Sequence, residues 1–323
     1  MKNKKILIIG GTGALGTTLI KNYNNNNDIF IMSRDEHKHV SLMKKYKDVG
    51  FLIGDIKDKE SIMRCINETK PEIIINTAAL KHVPVCEANA FESVKTNIIG
   101  HQNLIDCVNI SNHQIETLMF ISTDKACKPI NVYGMCKAIA ERLYTNYAKK
   151  QKDIKVIISR YGNVLESTGS VIPFFKNLLQ QDNCSYLPIT HSDMTRFLMT
   201  LDDATDLIEW AYYHQESHGK IVVPKMKSLK IVDIAKELSK SLLGKQVELK
   251  FVGIRPGEKI HEEMISFEES LRCIEYDQYY MITEELLSQN PWNYSSKNNL
   301  LPKENIENFL VSKGVLPDPQ TII

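Results

Sequence analysis

Residues 5–16 read KILIIGGTGALG, a short apolar run followed by three spaced glycines. The run from Ile6 to Ile9 is typical of a buried strand, and an amphipathic helical pattern begins at about Thr17. Gly10, Gly13 and Gly16 permit a tight turn, close approach of the backbone to a pyrophosphate, and close packing of helix on strand. Because the N-terminus of a helix also attracts anions, we predict a dinucleotide-binding loop. The alternative is a purely structural turn.

Apolar runs alternate with helical patterns through the first half of the chain. The further runs are residues 29–32, 51–53, 73–75, 118–121 and 156–158. Such alternation predicts an α/β fold with a Rossmann-type doubly wound parallel sheet covered on both faces. After about residue 165 the segments become shorter and are interrupted by prolines, which indicates a smaller, interleaved α/β substrate domain.

The change of pattern also predicts where the two domains divide. We assign residues 1–166 and about 193–223 to a cofactor-binding Rossmann domain. Residues 167–192 and 224–323 are assigned to a domain that binds the substrate.

Composition excludes several classes of protein. The 323 residues include 40 Lys and Arg against 39 Asp and Glu, so there is no basic field to bind nucleic acid. No apolar run approaches the roughly 20 residues of a membrane span, and the N-terminus lacks the pattern of a signal peptide. The seven cysteines show no metal-ligand spacing. We therefore expect no metal, no membrane anchor, and reduced thiols in the cytoplasm.

The residues that follow the second and third strands indicate which cofactor is bound. An arginine at the end of the second strand can pair with a 2′-phosphate, whereas an acidic residue there bonds a free ribose hydroxyl. This strand ends in Ser33-Arg34, which favours NADP over NAD, although Arg34 is alternatively a solvated surface residue. Asp55, after the third strand, is a candidate partner for the adenine amino group or a turn cap.

Residues 122–137 (STDKACKPINVYGMCK) carry two pairs of chemically useful side chains. Tyr133 and Lys137 are four residues apart, on one face of a predicted helix. We expect Tyr133 to remove the proton of a substrate hydroxyl, its pKa lowered by the Lys137 ammonium and by a positive nicotinamide. Thr123 is a candidate to bond the same oxygen. Asp124 and Lys125 are a candidate acid and base, or alternatively a salt bridge in a turn.

These motifs together resemble the extended short-chain dehydrogenases/reductases. Within them the chain is most similar to the inverting UDP-N-acetylglucosamine 4,6-dehydratases of polysaccharide and flagellin-sugar biosynthesis. The resemblance covers roughly residues 4–266, and the tail beyond Ile265 is poorly covered. The matching segments are residues 10–16, 33–35 (SRD), 76–84 (NTAALKHVP), 95–97 (KTN), 122–137, 160–164 (RYGNV), 169–174 (GSVIPF), 194–197 (MTRF), 223–225 (VPK) and 253–264 (GIRPGEKIHEEM).

Two local features separate this subgroup from its relatives. Retaining 4,6-dehydratases have Thr-Asp-Glu at the end of the fifth strand and a tyrosine much further along. This chain has Thr-Asp-Lys, with Tyr133 only nine residues after Asp124. A related inverting subgroup has methionine in place of the tyrosine.

The resemblance implies a sequence of steps. Tyr133 and NADP oxidise C4 of the sugar to a ketone, which acidifies the C5 proton. A neutral Lys125 removes that proton, a protonated Asp124 donates to the departing C6 hydroxyl, and the hydride returns to C6. Reprotonation of C5 from the opposite face gives UDP-2-acetamido-2,6-dideoxy-β-L-arabino-hexos-4-ulose. We expect Lys137, the nicotinamide charge and desolvation to lower the pKa of Lys125.

The resemblance also implies the binding residues. A tightly bound NADP, recycled in each turnover, is expected to contact Gly10, Thr12, Gly13, Ala14, Leu15, Gly16, Ser33, Arg34, Asp55, Ile56, Ala78, Ala79, Lys81, Tyr133 and Lys137. The UDP-sugar is expected to contact Lys81, Asn163, Arg196, Arg255 and Glu258. Glu166 and Thr168 replace the Gly and Arg that the family commonly has, so UDP-glucose stays open as the substrate.

Two other functions are compatible with parts of this pattern. A 4-epimerase or 4-keto reductase of the same fold needs Tyr133 and Lys137 but no acid–base pair at positions 124 and 125. A regulator that senses NADP without turnover is disfavoured because such proteins usually lack the Tyr-x-x-x-Lys pattern. Extended members are typically homo-oligomers, so we expect a dimer or a hexamer.

Overall fold

The computed structural model describes residues 1–165, 169–181 and 184–317. Its strands, in chain order, are Lys5–Ile9 (β1), Asp28–Ser33 (β2), Gly50–Ile53 (β3), Ile73–Asn76 (β4), Thr117–Thr123 (β5), Lys155–Tyr161 (β6), Asn163–Val164 (β7), Tyr186–Ile189 (β8), Thr195–Met199 (β9), Ile221–Pro224 (β10), Ser228–Lys230 (β11), Glu248–Phe251 (β12), Glu263–Ile265 (β13), Cys273–Glu275 (β14), Tyr279–Ile282 (β15) and Tyr294–Ser295 (β16).

A mostly parallel sheet lies at the centre of the described residues. Its spatial order is β14-β15-β10-β6-β5-β4-β1-β2-β3. Every pairing from β3 across to β10 is parallel, and the pairings of β15 with β10 and with β14 are antiparallel. The order reverses between β1 and β4, which confirms the predicted doubly wound α/β fold.

Helices connect the strands and cover both faces of the sheet. They are Ala14–Tyr23 (α1), Glu36–Lys45 (α2), Lys59–Thr69 (α3), Val83–Ala88 (α4), Ala90–Val94 (α5), Gly100–Ile110 (α6), Val132–Lys150 (α7), Val171–Leu179 (α8), Leu201–Tyr213 (α9), Ile231–Leu243 (α10), Phe267–Ser270 (α11) and Ile306–Ser312 (α12). A π-helical turn, Lys95–Ile99, joins α5 to α6, and a 3₁₀ turn, Asp124–Ala126, follows β5.

Helix α1 begins three residues earlier than its sequence pattern predicts. Gly13 has extended backbone angles and is the N-cap, so the helix starts at Ala14 rather than at about Thr17. The periodic apolar pattern does not reveal this first turn because Ala14 and Gly16 are small and only Leu15 is a large buried side chain there.

Strand β1 shows why the apolar runs have no polar alternation. Ile6 and Ile8 belong to the hydrophobic core on one face of the sheet, and Leu7 and Ile9 belong to the core on the other. Both faces are covered, so successive side chains must all be apolar.

A third hydrophobic core lies in the second half of the chain. It joins side chains from α8, β8, α10 and α12, including Phe175, Leu187, Leu238 and Leu310. The chain then returns to the central sheet, where Met281 of β15 pairs with Val222 of β10. Residues 273–282 therefore extend the sheet, whereas the sequence-based division places them in the second domain. We propose a two-domain division with that change.

None of the helices in the described ranges combines the length and the apolar character that a membrane crossing requires.

Candidate active site

The glycine loop lies where the strand order of the sheet reverses. Gly10 follows β1 with φ +80°, and a Cβ there would lie 2.8 Å from the backbone nitrogen of Ala78, just after β4. The Thr77 N–H donates to the Ile9 carbonyl at 2.8 Å and holds the two strand ends together. Gly10 is thus required both by its left-handed backbone and by the close approach of the second chain segment.

The start of α1 has the features of an anion-binding site. A Cβ on Gly16 would lie 2.5 Å from the Cα of Gly11, so the helix packs directly on the loop. Its N-cap, Gly13, offers no side chain to the first turn, whereas Asn131 caps α7 through a bond to the Gly134 N–H. The uncapped N–H groups and the helix dipole suit a dinucleotide pyrophosphate.

Polar side chains at the ends of β2 and β3 surround the expected position of the adenosine. The Thr12 hydroxyl donates to the Ser33 hydroxyl at 3.1 Å, and Ser33 Oγ lies 2.6 Å from the buried His39 Nε2. Arg34 Nη1 lies 3.6 Å from Asp55 Oδ2, with 55% of its side chain exposed. The positive Arg34 guanidinium is therefore largely exposed at the end of β2.

Asp55 and Ile56, which follow β3, are fixed in place by contacts within the protein. Asp55 Oδ1 accepts from the Lys57 N–H at 2.9 Å, as the turn-cap alternative predicts. Ile56 is buried, and a Cβ on Gly100 would lie 2.8 Å from its Cγ2.

The segment after β4 is fixed by a side chain that received no role from the sequence. Asn97, fully buried, accepts from the Leu80 N–H at 2.9 Å and donates to the Leu80 carbonyl at 2.8 Å. These two bonds hold the loop that carries Ala78, Ala79 and the exposed Lys81.

Helix α7 packs directly on the turn that follows β5. A Cβ on Gly134 would collide with the carbonyl oxygen of Lys125, so only glycine allows this approach. The capping of α7 by Asn131 and the short segment between turn and helix place Tyr133 and Lys137 beside residues 123–125. The tertiary structure thus brings the two predicted pairs together.

Burial controls the ionisation of Tyr133 and Lys137. The Lys137 Nζ donates to the Ile121 carbonyl at 2.7 Å and lies 4.6 Å from the centre of the Phe120 ring. Burial lowers the pKa of Lys137 to about 7, while burial and the nearby Asp124 raise the pKa of Tyr133. This corrects the expectation of a lowered tyrosine pKa, because the Lys137 ammonium is itself desolvated and is bonded to β5.

Asp124 and Lys125 form a buried ion pair. The Lys125 Nζ donates to Asp124 Oδ1 at 3.0 Å and to Asn163 Oδ1 at 3.1 Å, and the Thr123 hydroxyl also donates to Asp124 Oδ1 at 2.9 Å. Asp124 is fully buried, and its Oδ2 has no hydrogen-bond partner among the described residues. Buried polar atoms are ordinarily hydrogen-bonded, so this unpaired oxygen favours a role beyond a salt bridge in a turn.

The pKa of Lys125 shifts in the direction opposite to the expected one. Burial by itself lowers it, but the carboxylates of Asp124 and Glu262 outweigh that effect and raise the pKa above its ordinary value. Lys125 is therefore an ammonium in this state. Glu262 is the neighbour that the sequence did not indicate.

The residues expected to bind the nucleotide lie in two groups. Asn163 and Arg196 belong to the Lys125 site, and the Arg196 Nη1 donates to the Thr195 carbonyl at 2.7 Å. Arg255 and Glu258 share an exposed loop, in which Glu258 Oε2 accepts from the Arg255 N–H at 3.3 Å.

That exposed loop is anchored at the start of α7. The Asn131 side chain donates to the Gly257 carbonyl at 2.8 Å, so one residue caps the helix that carries Tyr133 and also holds the Arg255 loop. Glu166 and Thr168 lie outside the described residues.

A buried charge cluster supports the ends of β5 and β6. Arg160 is 1% exposed and makes bidentate hydrogen bonds to Glu141 and to Glu269, while the Ser122 hydroxyl donates to Glu141 at 2.6 Å. Every charge in the cluster has a partner, as a structural ion-pair network requires. The sequence marked the Arg160 motif but indicated no role for it.

Comparison with known proteins agrees with this architecture. A parallel sheet with a glycine loop at its reversal point, and a buried Tyr-x-x-x-Lys pair beside it, are the features of the short-chain dehydrogenase/reductase class. The chain belongs to the polysaccharide biosynthesis protein family, whose model matches residues 6–284.

Individual relatives are similar over most of the chain. A Campylobacter jejuni protein named UDP-N-acetylglucosamine 4,6-dehydratase (inverting) is 39% identical over 295 residues, covering 88% of this chain and 85% of the relative. A Rickettsia felis protein named UDP-glucose 4-epimerase is 36% identical, covering 87% and 83%. The crystal structure of Pen from Bacillus thuringiensis superposes with a TM-score of 0.89 at 31% identity, covering 98% and 99%. The resemblance to the inverting 4,6-dehydratases is confirmed.

Proposed function

We propose that this protein is a 5-inverting UDP-N-acetylglucosamine 4,6-dehydratase, a hydro-lyase that takes part in polysaccharide or glycan biosynthesis. The observation that carries the proposal is the buried Asp124–Lys125 pair placed against Tyr133 and Lys137. Hydride chemistry alone needs only the tyrosine and lysine, whereas loss of water also needs a base for C5 and an acid for the C6 hydroxyl. The Campylobacter jejuni relative, at 39% identity, carries this function in its name.

A nicotinamide dinucleotide fits the glycine loop, and we propose that it is NADP. The support for NADP is the exposed Arg34 guanidinium at the end of β2. When bound, the nicotinamide would take a hydride from C4 and return it to C6, so it leaves each turnover unchanged. We propose that Gly10, Gly13, Gly16 and the other residues expected from the sequence hold it.

In the first step, we propose that Tyr133 accepts the proton of the C4 hydroxyl. The phenol is almost fully buried, so it is protonated in the resting enzyme and must pass its proton on before it can act. The Thr123 hydroxyl and Lys137, whose pKa is close to neutrality, are the groups that support that transfer.

In the second step, one proton transfer prepares both elimination groups. Movement of a proton from Lys125 Nζ to Asp124 Oδ1, across their 3.0 Å hydrogen bond, produces a neutral amine and a protonated acid. The amine then takes the C5 proton and the acid donates to the departing C6 hydroxyl, so one molecule of water leaves. Desolvation on substrate binding favours the neutral pair over the ion pair.

We propose that the UDP-sugar lies between this pair and the loop of Arg255. Arg196 and Arg255 are the groups suited to the diphosphate, Asn163 and Lys81 lie toward the sugar, and Glu258 is suited to ribose hydroxyls. The capping residue Asn131 links the Arg255 loop to the helix of Tyr133.

Product analysis tests the proposed reaction. Incubation with UDP-N-acetylglucosamine and NADP should yield a product lighter by one water, and in D₂O the product should carry deuterium at C5 with the coupling constants of an L-sugar. A parallel incubation with UDP-glucose tests the sugar. A product of unchanged mass, epimerised at C4, would instead support the 4-epimerase function that the Rickettsia felis relative has in its name.

Replacing Arg34 with alanine should weaken NADP binding selectively. A charge-assisted hydrogen bond contributes about 1.5–3 kcal/mol, so the Kd for NADP should rise roughly tenfold to a hundredfold while the Kd for NAD changes little. Calorimetric titration with both dinucleotides measures this. Lys38→Ala, which removes a nearby exposed cation paired with Asp35, is the matched control. Equal weakening of both cofactors would contradict a role at the 2′-phosphate.

We also propose a homo-oligomer, a dimer or a hexamer, in the cytoplasm. Neighbouring helices expose large apolar side chains, among them Val85, Phe91, Met135 and Ile139 at 46–67% exposure, which favours contact with a second copy. The seven free cysteines are typical of a reducing compartment. Light scattering of the purified protein tests the oligomer, and cell fractionation tests the location.

A further inference from the structure

A second buried carboxylate faces the Asp124–Lys125 pair. Glu262, just before β13, is 3% exposed and has three cations around it. Its Oε1 lies 3.6 Å from Lys125 Nζ and 3.9 Å from Arg196 Nε, and its Oε2 lies 3.9 Å from Lys259 Nζ. All three distances exceed a hydrogen bond, and Oε2 has no hydrogen-bond partner within the part of the chain that the structure describes.

The backbone of Glu262 is firmly held although its carboxylate is not. The Glu262 N–H donates to the Ser296 hydroxyl at 2.9 Å, and the Ser296 N–H donates to the Glu262 carbonyl at 2.9 Å. Ser296 is fully buried and its hydroxyl lies 2.6 Å from that of Thr195. The side chain is therefore aimed at the cations by a rigid backbone.

Comparison with Glu269 separates a structural carboxylate from this one. Glu269 accepts from Arg160 through both oxygens and also from the Ser266 N–H and the Cys127 thiol. In contrast, the three cations lie 3.6–3.9 Å from the Glu262 oxygens, and its Oε2 has no hydrogen-bond partner among the described residues. A buried carboxylate that contributed only to the fold would be expected to have its oxygens paired.

The cations around Glu262 direct their hydrogen bonds to other groups. Lys125 bonds Asp124 and Asn163, Arg196 bonds backbone carbonyls, and Lys259 bonds the Cys127 carbonyl at 2.7 Å. The negative charge of Glu262 therefore acts on them through space. Without it, three positive groups would share one desolvated region with a single remaining carboxylate, that of Asp124.

We propose that Glu262 is a positioning residue for the elimination step, which holds the Lys125 ammonium between two carboxylates and keeps its proton in place until the sugar is bound. The proposal rests on the function proposed above. The charged groups that face Lys125 are Asp124 from its own turn, Arg196 from β9 and Glu262 from the segment before β13, with the neutral Asn163 from β7.

The pH dependence of water loss tests this role. Elimination needs the one proton that the Asp124–Lys125 pair shares, so kcat should fall along a descending limb at the pH where that proton is lost to solvent. Glu262→Gln removes a charge that favours the ammonium, so the limb should move to lower pH by about one unit or more. The plateau should fall by about tenfold to a hundredfold because Lys125 is less well placed. Glu262→Asp keeps the charge but shortens its reach, so the limb should stay while the plateau falls.

The neighbouring carboxylate provides the matched control. Glu263 pairs with the exposed Lys128 at 3.0 Å, away from the site, so Glu263→Gln should leave both the limb and the plateau unchanged. A folded Glu262→Gln enzyme with the wild-type limb would overturn the proposal. If Glu262→Gln does not fold, a wild-type plateau in Glu262→Asp overturns it. Absence of a dehydrated product from the wild-type enzyme would instead reject the proposed function, and the role of Glu262 with it.

Discussion

Lys125→Ala should abolish the loss of water while cofactor and UDP-sugar still bind. The substitution removes the amine that we assign to the C5 proton and leaves the glycine loop and Arg255 untouched. Loss of a positioned general base typically costs about 10²- to 10⁴-fold in rate. The variant should still oxidise C4, so reduced nicotinamide should accumulate without the dehydrated product.

Mass spectrometry and the absorbance of the reduced nicotinamide measure the two halves of this prediction. Lys128→Gln is the control, because Lys128 lies in the same segment but is exposed and pairs with Glu263 at 3.0 Å. Formation of dehydrated product by Lys125→Ala at near the wild-type rate would show that another group removes the C5 proton.

Tyr133→Phe should stop the reaction one step earlier. The phenyl ring keeps the packing of the buried side chain, but the oxygen that accepts the C4 proton is lost. We expect a loss of about 10²- to 10⁴-fold, with no reduced nicotinamide formed. Because the C5 proton becomes acidic only beside a C4 ketone, no deuterium should enter C5 in D₂O either.

A second tyrosine on the same helix provides the control for that variant. The Tyr144 hydroxyl accepts from the Asn76 side chain at 3.0 Å in the core. Tyr144→Phe should cost about 1 kcal/mol of the free energy of unfolding and leave the activity intact. If Tyr133→Phe still reduced the nicotinamide or exchanged C5, Tyr133 would not be the base for C4. Together with Lys125→Ala, the pair of variants separates oxidation from elimination.

The parallel sheet and the glycine loop could be predicted because their signals are local. Strand β1 is apolar on both faces, and the glycines follow it directly. The sequence pattern assigns strands β14 and β15 to the other domain because they are short, whereas in the structure β15 pairs antiparallel with β10 and β14 pairs with β15. That pairing depends on where the chain returns in space, which no local pattern records.

The candidate site was likewise predicted only in part. Residues 122–137 indicated hydride and elimination chemistry from residue types and spacing alone, and the assignment of each side chain stays a prediction. Glu262 received no role, since a charged residue in a loop is ordinarily solvated. Only the folded chain shows that it is buried beside Lys125.

The sequence by itself determined the fold class, the family and the pairing of hydride with acid–base residues, because these depend on periodicity and on short spacings. Only the tertiary structure decided the ionisation of those residues. The pKa of Tyr133 is raised by burial, and the pKa of Lys125 is raised by Asp124 and by Glu262, a residue distant in the chain. Charge interactions and desolvation depend on distances of a few ångströms in space, and these exist only after the segments have packed.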